Sequence, residues 1–131
     1  MTKAKRSKLM SKIKGTNTGI EKILVRELKN RGIKGFKRYA NMIGKPDIIF
    51  PKAKLIVFCD GDFWHGYKFE SWKNKLNNFW SDKILTNIRR DRKIRRMLKK
   101  DGWKVVSFWG HQIEKNPELC VDKILKLMVL K

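Results

Sequence analysis

The sequence predicts an α/β sandwich, a small mixed sheet covered on both faces by helices. Three observations carry this. Two long stretches place apolar residues at helical spacing, and each is stopped by a glycine. Between them lie short β-branched runs, Asp47-Ile-Ile-Phe50 and Leu55-Ile-Val-Phe-Cys59, close enough in sequence to form a hairpin. A further run, Trp103 to Trp109, follows the second stretch and reads as a third core strand.

Taken in order, residues 1–17 form a basic lead-in punctuated by Gly15, Thr16 and Asn17, and residues 18–131 form one domain. At 131 residues the chain suffices for one hydrophobic core and is too short for two. The first helix runs from about Thr18 to Arg31, with Ile20, Ile23, Leu24 and Leu28 on one side and Gly32 as its stop. Phe36 to Tyr39 reads as a short strand, and Pro51-Lys-Ala-Lys54 as the hairpin turn. Gly61 to Lys75 is loop-like and rich in aromatic residues. The second helix spans about Ser81 to Lys100 and ends before Gly102. Asn116-Pro117 then supplies an N-cap and a first-turn proline for a final helix.

The charge is extreme. Thirty-three Lys and Arg against twelve Asp and Glu leave a net +21, which repels itself unless a polyanion is bound. Nucleic acid is the leading partner, because phosphate neutralisation by Lys and Arg supplies most non-specific affinity. A membrane is disfavoured: no apolar run approaches the roughly 20 residues of a span, and no lipidation motif occurs. The segment MTKAKRSKLM is basic without a signal peptide's apolar stretch. Cys59 and Cys120 lie in apolar contexts and read as small buried hydrophobes, which suits a reducing cytoplasm.

In so basic a chain, acids set among apolar residues are informative. If the hairpin turn centres on Lys52 and Ala53, Phe50 faces Leu55 and Asp47 faces Phe58. Alternation then puts Asp60 on the same face as Asp47. Two carboxylates at one sheet end invite a cation such as Mg²⁺, although either acid also suits a strand end or turn. Asp91 falls inside the apolar stripe of its helix, between Ile84, Ile88 and Leu98. It needs either a partner in the site or an ion pair with a base such as Arg95. Glu21 stands three residues after Thr18, as in a capping box, and periodicity does not separate it from Glu27. His65 follows the acidic strand end and can move protons near neutrality. His111 reads as structural or surface.

Ser7-Lys-Leu-Met10, Thr18-Gly-Ile-Glu21-Lys22, Gly44-Lys-Pro-Asp47, Asp60-Gly-Asp-Phe-Trp-His65, Phe79-Trp80, Asn87-Ile-Arg-Arg-Asp91-Arg92 and Gly102-Trp103-Lys-Val105 occur in an order that resembles the very-short-patch repair (Vsr) endonucleases. That family is a variant of the restriction-endonuclease-like, PD-(D/E)xK fold. The resemblance implies a three-layer sandwich and a site of Glu21, Asp47, His65 and Asp91. It implies Mg²⁺ on Asp47 and the Cys59 backbone carbonyl, His65 as the group activating water, and Met10, Phe63 and Trp64 as wedges in the base stack. Asp62 stands where the simple motif has lysine. Asp60 replaces a second histidine and becomes a further candidate ligand. The family's zinc-binding cysteines are missing around residues 62, 67–70 and 110, so no structural zinc is expected.

Arg89, Arg90, Arg92, Lys93, Arg95, Arg96, Lys99 and Lys100 surround Asp91 with few acidic partners and read as a phosphate track, alongside a second basic arm at Lys3 to Lys14. The resulting expectation is a Mg²⁺-dependent endonuclease that nicks double-stranded DNA at T·G mismatches. It would act as a monomer in a bacterial or phage-host cytosol, with a repair or recognition protein as a further partner. The alternatives are a sequence-directed nicking or homing-type endonuclease and a non-catalytic nucleic-acid-binding module.

Overall fold

The computed structural model describes residues 19–63 and 65–129. The basic arm, Met10, Thr18 and Trp64 therefore lie outside the described residues.

Helix α1 (Gly19–Asn30) is followed by strands β1 (Lys37–Arg38), β2 (Ile48–Phe50) and β3 (Leu55–Asp60). A short helix α2 (Phe69–Trp72) and a 3-10 turn lead into the long helix α3 (Asn78–Lys100). Strand β4 (Lys104–Trp109), a short helix α4 (Gly110–Lys115) and helix α5 (Pro117–Met128) complete the order. The sheet runs β1-β2-β3-β4, antiparallel at its first two pairings and parallel between β3 and β4. Parallel pairing needs a crossover, and α3 provides it. The expected mixed sheet and flanking helices are thus present.

Strand β3 organises the layers because it is buried on both faces. Leu55, Val57 and Cys59 point into the larger core with Leu24 and Leu28 of α1, Ile113 of α4, and Val121 and Ile124 of α5. Ile56 and Phe58 point the other way, onto Leu98 and Ile94 of α3 with Trp103 and Val105. Alternation along the strand thus feeds two cores, and Asp60 continues the α3-facing series. The hairpin register pairs Phe50 with Leu55, as the sequence predicts.

Three boundaries differ from expectation. Helix α3 begins earlier, at Asn78, because the Asn77 side chain accepts a hydrogen bond from Trp80 N at 3.0 Å and caps it. The aromatic loop contains α2, whose Phe69 packs with Ile84, Trp72 and Trp80 against the first half of α3. Helix α4 was not anticipated: Gln112 bonds back to Trp109 N at 2.8 Å and turns the chain as soon as β4 ends. At the final helix Asn116 accepts from Leu119 N, and Pro117 occupies the first turn, as expected.

The aromatic loop meets α3 at Gly66, whose φ of 76° is a left-handed conformation. A Cβ there would lie 2.4 Å from Ile88 Cδ1. Gly66→Ala should therefore cost about 2–4 kcal/mol, combining left-handed strain with overpacking. Gly61, one residue beyond β3, has open space around the same position. In urea denaturation Gly61→Ala should stay near wild type while Gly66→Ala unfolds earlier. Equal midpoints would show that the loop does not rest on α3 as described.

Candidate active site

Asp47 reaches the sheet end through a tight turn. Gly44 has a φ of 80°, and Lys45, with a φ of 46°, is also left-handed. At Gly44 a Cβ would meet Ile94 Cγ2 at 2.5 Å, so the turn presses on α3 and only glycine fits. Pro46, its φ fixed by the ring, follows the turn, and Asp47 stands just before β2. Beyond the last β2–β3 pair the carboxylate takes over from the ladder: Asp47 Oδ2 accepts from Cys59 N at 2.7 Å.

The surroundings are crowded with negative charge. Burial pushes the Asp47 carboxyl up to about 8, against the lowering effect of the Cys59 amide. A side-chain hydrogen bond with Glu21 and the charges of Glu21 and Asp60 push the same way. Glu21 is only 4% exposed, so it faces the sheet end rather than solvent. Arg38 Nη2 stands 4.0 Å from it and also bonds to Tyr39 Oη at 2.7 Å. Burial and the bond with Glu21 raise the Tyr39 phenol, and that residue holds a left-handed φ of 53°. Strained backbone of this kind persists only where neighbours hold it in place. The capping-box role considered for Glu21 needs Thr18, which is outside the described residues.

A second pair of contacts lies on the α3 side. His65 Nδ1 is 2.5 Å from Asp91 Oδ2 and 3.7 Å from Asp60 Oδ1. Burial lowers the His65 pKa, but the Asp91 hydrogen bond and the charges of Asp60 and Asp91 outweigh it, and the net shift is upward. With Nδ1–H committed to Asp91, a neutral His65 presents its lone pair on Nε2, the arrangement a proton acceptor needs. Asp60, 2% exposed, accepts from Arg95 Nη2 at 2.8 Å. The ion pair considered for Asp91 and Arg95 is thus replaced by two crossed contacts, Asp91 with His65 and Arg95 with Asp60.

The structure therefore brings Glu21, Asp47, Asp60, His65 and Asp91 to one end of the sheet. Among the described residues no group of three or more His, Cys, Asp or Glu side chains is arranged to hold a metal ion. The carboxylates at this sheet end are Asp47, beside Glu21, and Asp60, which is engaged by Arg95. This set fits Mg²⁺ better than zinc, because Mg²⁺ keeps several waters and needs only one or two carboxylates. A divalent cation would also restore the ionised form that burial and like charge disfavour at Asp47.

Phe63 stacks on Trp72 at 5.6 Å and meets Trp80 edge-on, which is a packing role in this conformation. Among the described residues the most exposed aromatic ring is Phe79, at 64%. Arg89, Arg90, Arg92 and Lys93 are all exposed on α3. Cys59 and Cys120 are free and buried, as expected of small hydrophobes.

Sequence reasoning missed Arg38 and Tyr39 as members of the site, and it placed Arg95 in the basic run of α3 or beside Asp91 rather than against Asp60. It also missed the pairing of His111 with Asp62, Nδ1 to Oδ2 at 3.0 Å, beside the Tyr67 ring. No local signal distinguishes these residues, since their partners are remote in sequence.

The family described as DNA mismatch endonuclease Vsr matches residues 1–71. The chain is 37% identical to the type II nicking enzyme V.NmeDIP of Neisseria meningitidis serogroup C, over 95% of this chain and 86% of that protein. It is 36% identical to the type II nicking enzyme V.HpaIIP of Haemophilus parainfluenzae, over 90% and 86% of the two chains. It is also 34% identical to the DNA mismatch endonuclease Vsr of Escherichia coli, over 82% of this chain and 70% of that protein.

The carboxyl at 47 makes stability depend on pH. The folded chain holds this proton up to about pH 8, whereas an unfolded chain releases it near 3.8. Between those values the folded state binds more protons, so stability falls as pH rises through the window. In chelator, Asp47→Asn should lose less melting temperature than wild type between about pH 5 and pH 8. Parallel pH profiles for the two proteins would show that Asp47 ionises freely in the folded state.

Proposed function

The chain belongs to the Vsr family of DNA endonucleases, and on that premise we propose that it is a Mg²⁺-dependent enzyme nicking duplex DNA at T·G mismatches in very-short-patch repair. The observation that carries this reading is the convergence of Asp47, Glu21, His65 and Asp91 at one sheet end in a chain of net charge +21. Simple DNA binding needs the positive surface but not a buried acidic cluster beside a histidine.

Asp47 and the Cys59 carbonyl would hold Mg²⁺, with Asp60 next to them. The bound ion would polarise the scissile phosphate and stabilise the leaving oxygen. His65, oriented through Nδ1 by Asp91, takes the proton of the attacking water on Nε2. Glu21 sits beside Asp47 and orients that water. In-line attack then leaves a nick with a 5′-phosphate. Arg89, Arg90, Arg92 and Lys93 hold the backbone, while Met10, Phe63 and Trp64 probe the base stack. To enter a base step Phe63 must leave Trp72, and a mismatched step lowers the unstacking that this exchange requires.

The chain is proposed to act as a monomer in a cytoplasm, with a repair or recognition protein as a further partner. Among the described residues no helix is long and apolar enough to cross a membrane. A second reading, a sequence-directed nicking endonuclease, takes its support from the names of the Neisseria and Haemophilus relatives, both type II nicking enzymes.

The test incubates wild type, Asp47→Ala and His65→Ala with supercoiled plasmid and with matched and T·G-mismatched duplexes, with and without Mg²⁺. Wild type should nick the mismatched duplex only with the metal. The His65→Ala rate should fall by about 10²- to 10⁴-fold, and that of Asp47→Ala at least as far. Binding without metal-dependent nicking of any substrate would rule out the enzyme. Equal cutting of both duplexes would favour the second reading.

A further inference from the structure

We propose that Arg95 is a substrate-positioning residue of this site, a phosphate ligand that Asp60 holds in place; the inference rests on the nuclease reading above. Asp91 and Arg95 are one helical turn apart on α3, where an acid and an arginine ordinarily pair with each other. Here they do not. Asp91 is taken by His65, and Arg95 Nη2 reaches across to Asp60 Oδ1 at 2.8 Å. The helix therefore delivers an acid and a cation, side by side, to the end of β3.

Several features hold the guanidinium there. Its central carbon lies 4.6 Å from the Phe58 ring centre, so the ring supports its plane. Asp60 comes from the same strand two residues later and is almost fully buried, which leaves its carboxylate little freedom to turn away. The Arg95 side chain keeps 22% exposure, so part of the guanidinium opens to the outside. Its Nε is buried and makes no hydrogen bond among the described residues. A guanidinium carries five N–H donors, and its fork matches the oxygens of a phosphate.

The surrounding charge gives the cation a task. Glu21, Asp47, Asp60 and Asp91 would together repel a phosphodiester from the place where it must be cut. The bases Arg89, Arg90, Arg92 and Lys93 are on the exposed surface of α3 and grip flanking backbone. Arg95 is the arginine set between Asp60 and His65, where it offsets that repulsion locally. The position two residues past Asp60, where a simple nuclease motif carries lysine, holds Asp62, and Asp62 is paired with His111. The cation instead enters from the helix.

The contrary account is that Asp60 and Arg95 form a buried ion pair with no contact to DNA. Replacing both members of such a pair by neutral groups is often harmless, whereas removing one is not. The test therefore uses Arg95→Met, Arg95→Lys and the charge-neutral double variant Asp60→Asn/Arg95→Met. Nicking is followed as kcat and KM, and binding of uncut duplex is measured in chelator over a range of salt. Arg95→Met and the double variant should both lose about 10- to 100-fold in kcat/KM. Both should lower the slope of log affinity against log salt by about 0.9, the release of one phosphate contact. Arg95→Lys, which retains the charge, should keep the wild-type slope. A double variant with wild-type kcat/KM and slope would overturn the proposal. The salt slope needs no cutting, so it tests Arg95 even if wild type nicks nothing. Wild-type nicking with unchanged Arg95→Met kinetics would remove the Arg95 role and leave the nuclease standing.

Discussion

Negative charge gathered at the end of β3 is costly to hold, and most of the site's construction answers that cost. Glu21 and Asp47 sit within hydrogen-bonding reach of each other, largely out of water, and Asp60 lies close by. Left alone, such carboxylates would take up protons or drive the elements apart. The fold supplies counterweights from three directions. The Cys59 amide comes from the strand itself, Arg95 from the crossover helix, and Arg38 from the edge strand. His65 adds an ionisable group against Asp91. A divalent cation would complete the set.

That arrangement explains why helix α3 carries two kinds of basic residue. On its outer side Arg89, Arg92 and Lys93 are exposed and available to a polyanion. On its inner side Ile84 and Leu98 anchor it in the core, while Asp91 and Arg95 reach the strand end between them. One element thus joins the exposed basic surface to the acidic cluster at the sheet end. The close contacts of Gly44 with Ile94 and of Gly66 with Ile88 bring the Asp47 turn and the His65 loop against that same helix.

Much of this could be read from the residues alone, and the failures have physical causes. The β2–β3 register followed from a short turn between two apolar runs, which left few ways to pair them. An acid inside an apolar stripe marked Asp91 as inward-facing, though not what it would meet. Glu21 and Glu27 looked equivalent because both fit the helix. In the structure Glu27 bonds to Arg31 at the surface, and Glu21 turns to the sheet end. Arg95 was hidden among other bases, since nothing local tells an arginine that meets a remote carboxylate from one that meets water. The Asn77 cap was overlooked because Phe79 and Trp80 extended the aromatic stretch across the true helix start.

The parallel pairing of β3 with β4 has a consequence for how the protein comes to exist. Asp60 and His65 precede the crossover, Asp91 and Arg95 belong to it, and β4 must dock before that helix is fixed in place. Long-range pairing of this kind carries a loop-closure cost that must be met before its contacts stabilise the fold. Side chains from both sides of the crossover therefore meet at this sheet end only once the native topology is complete.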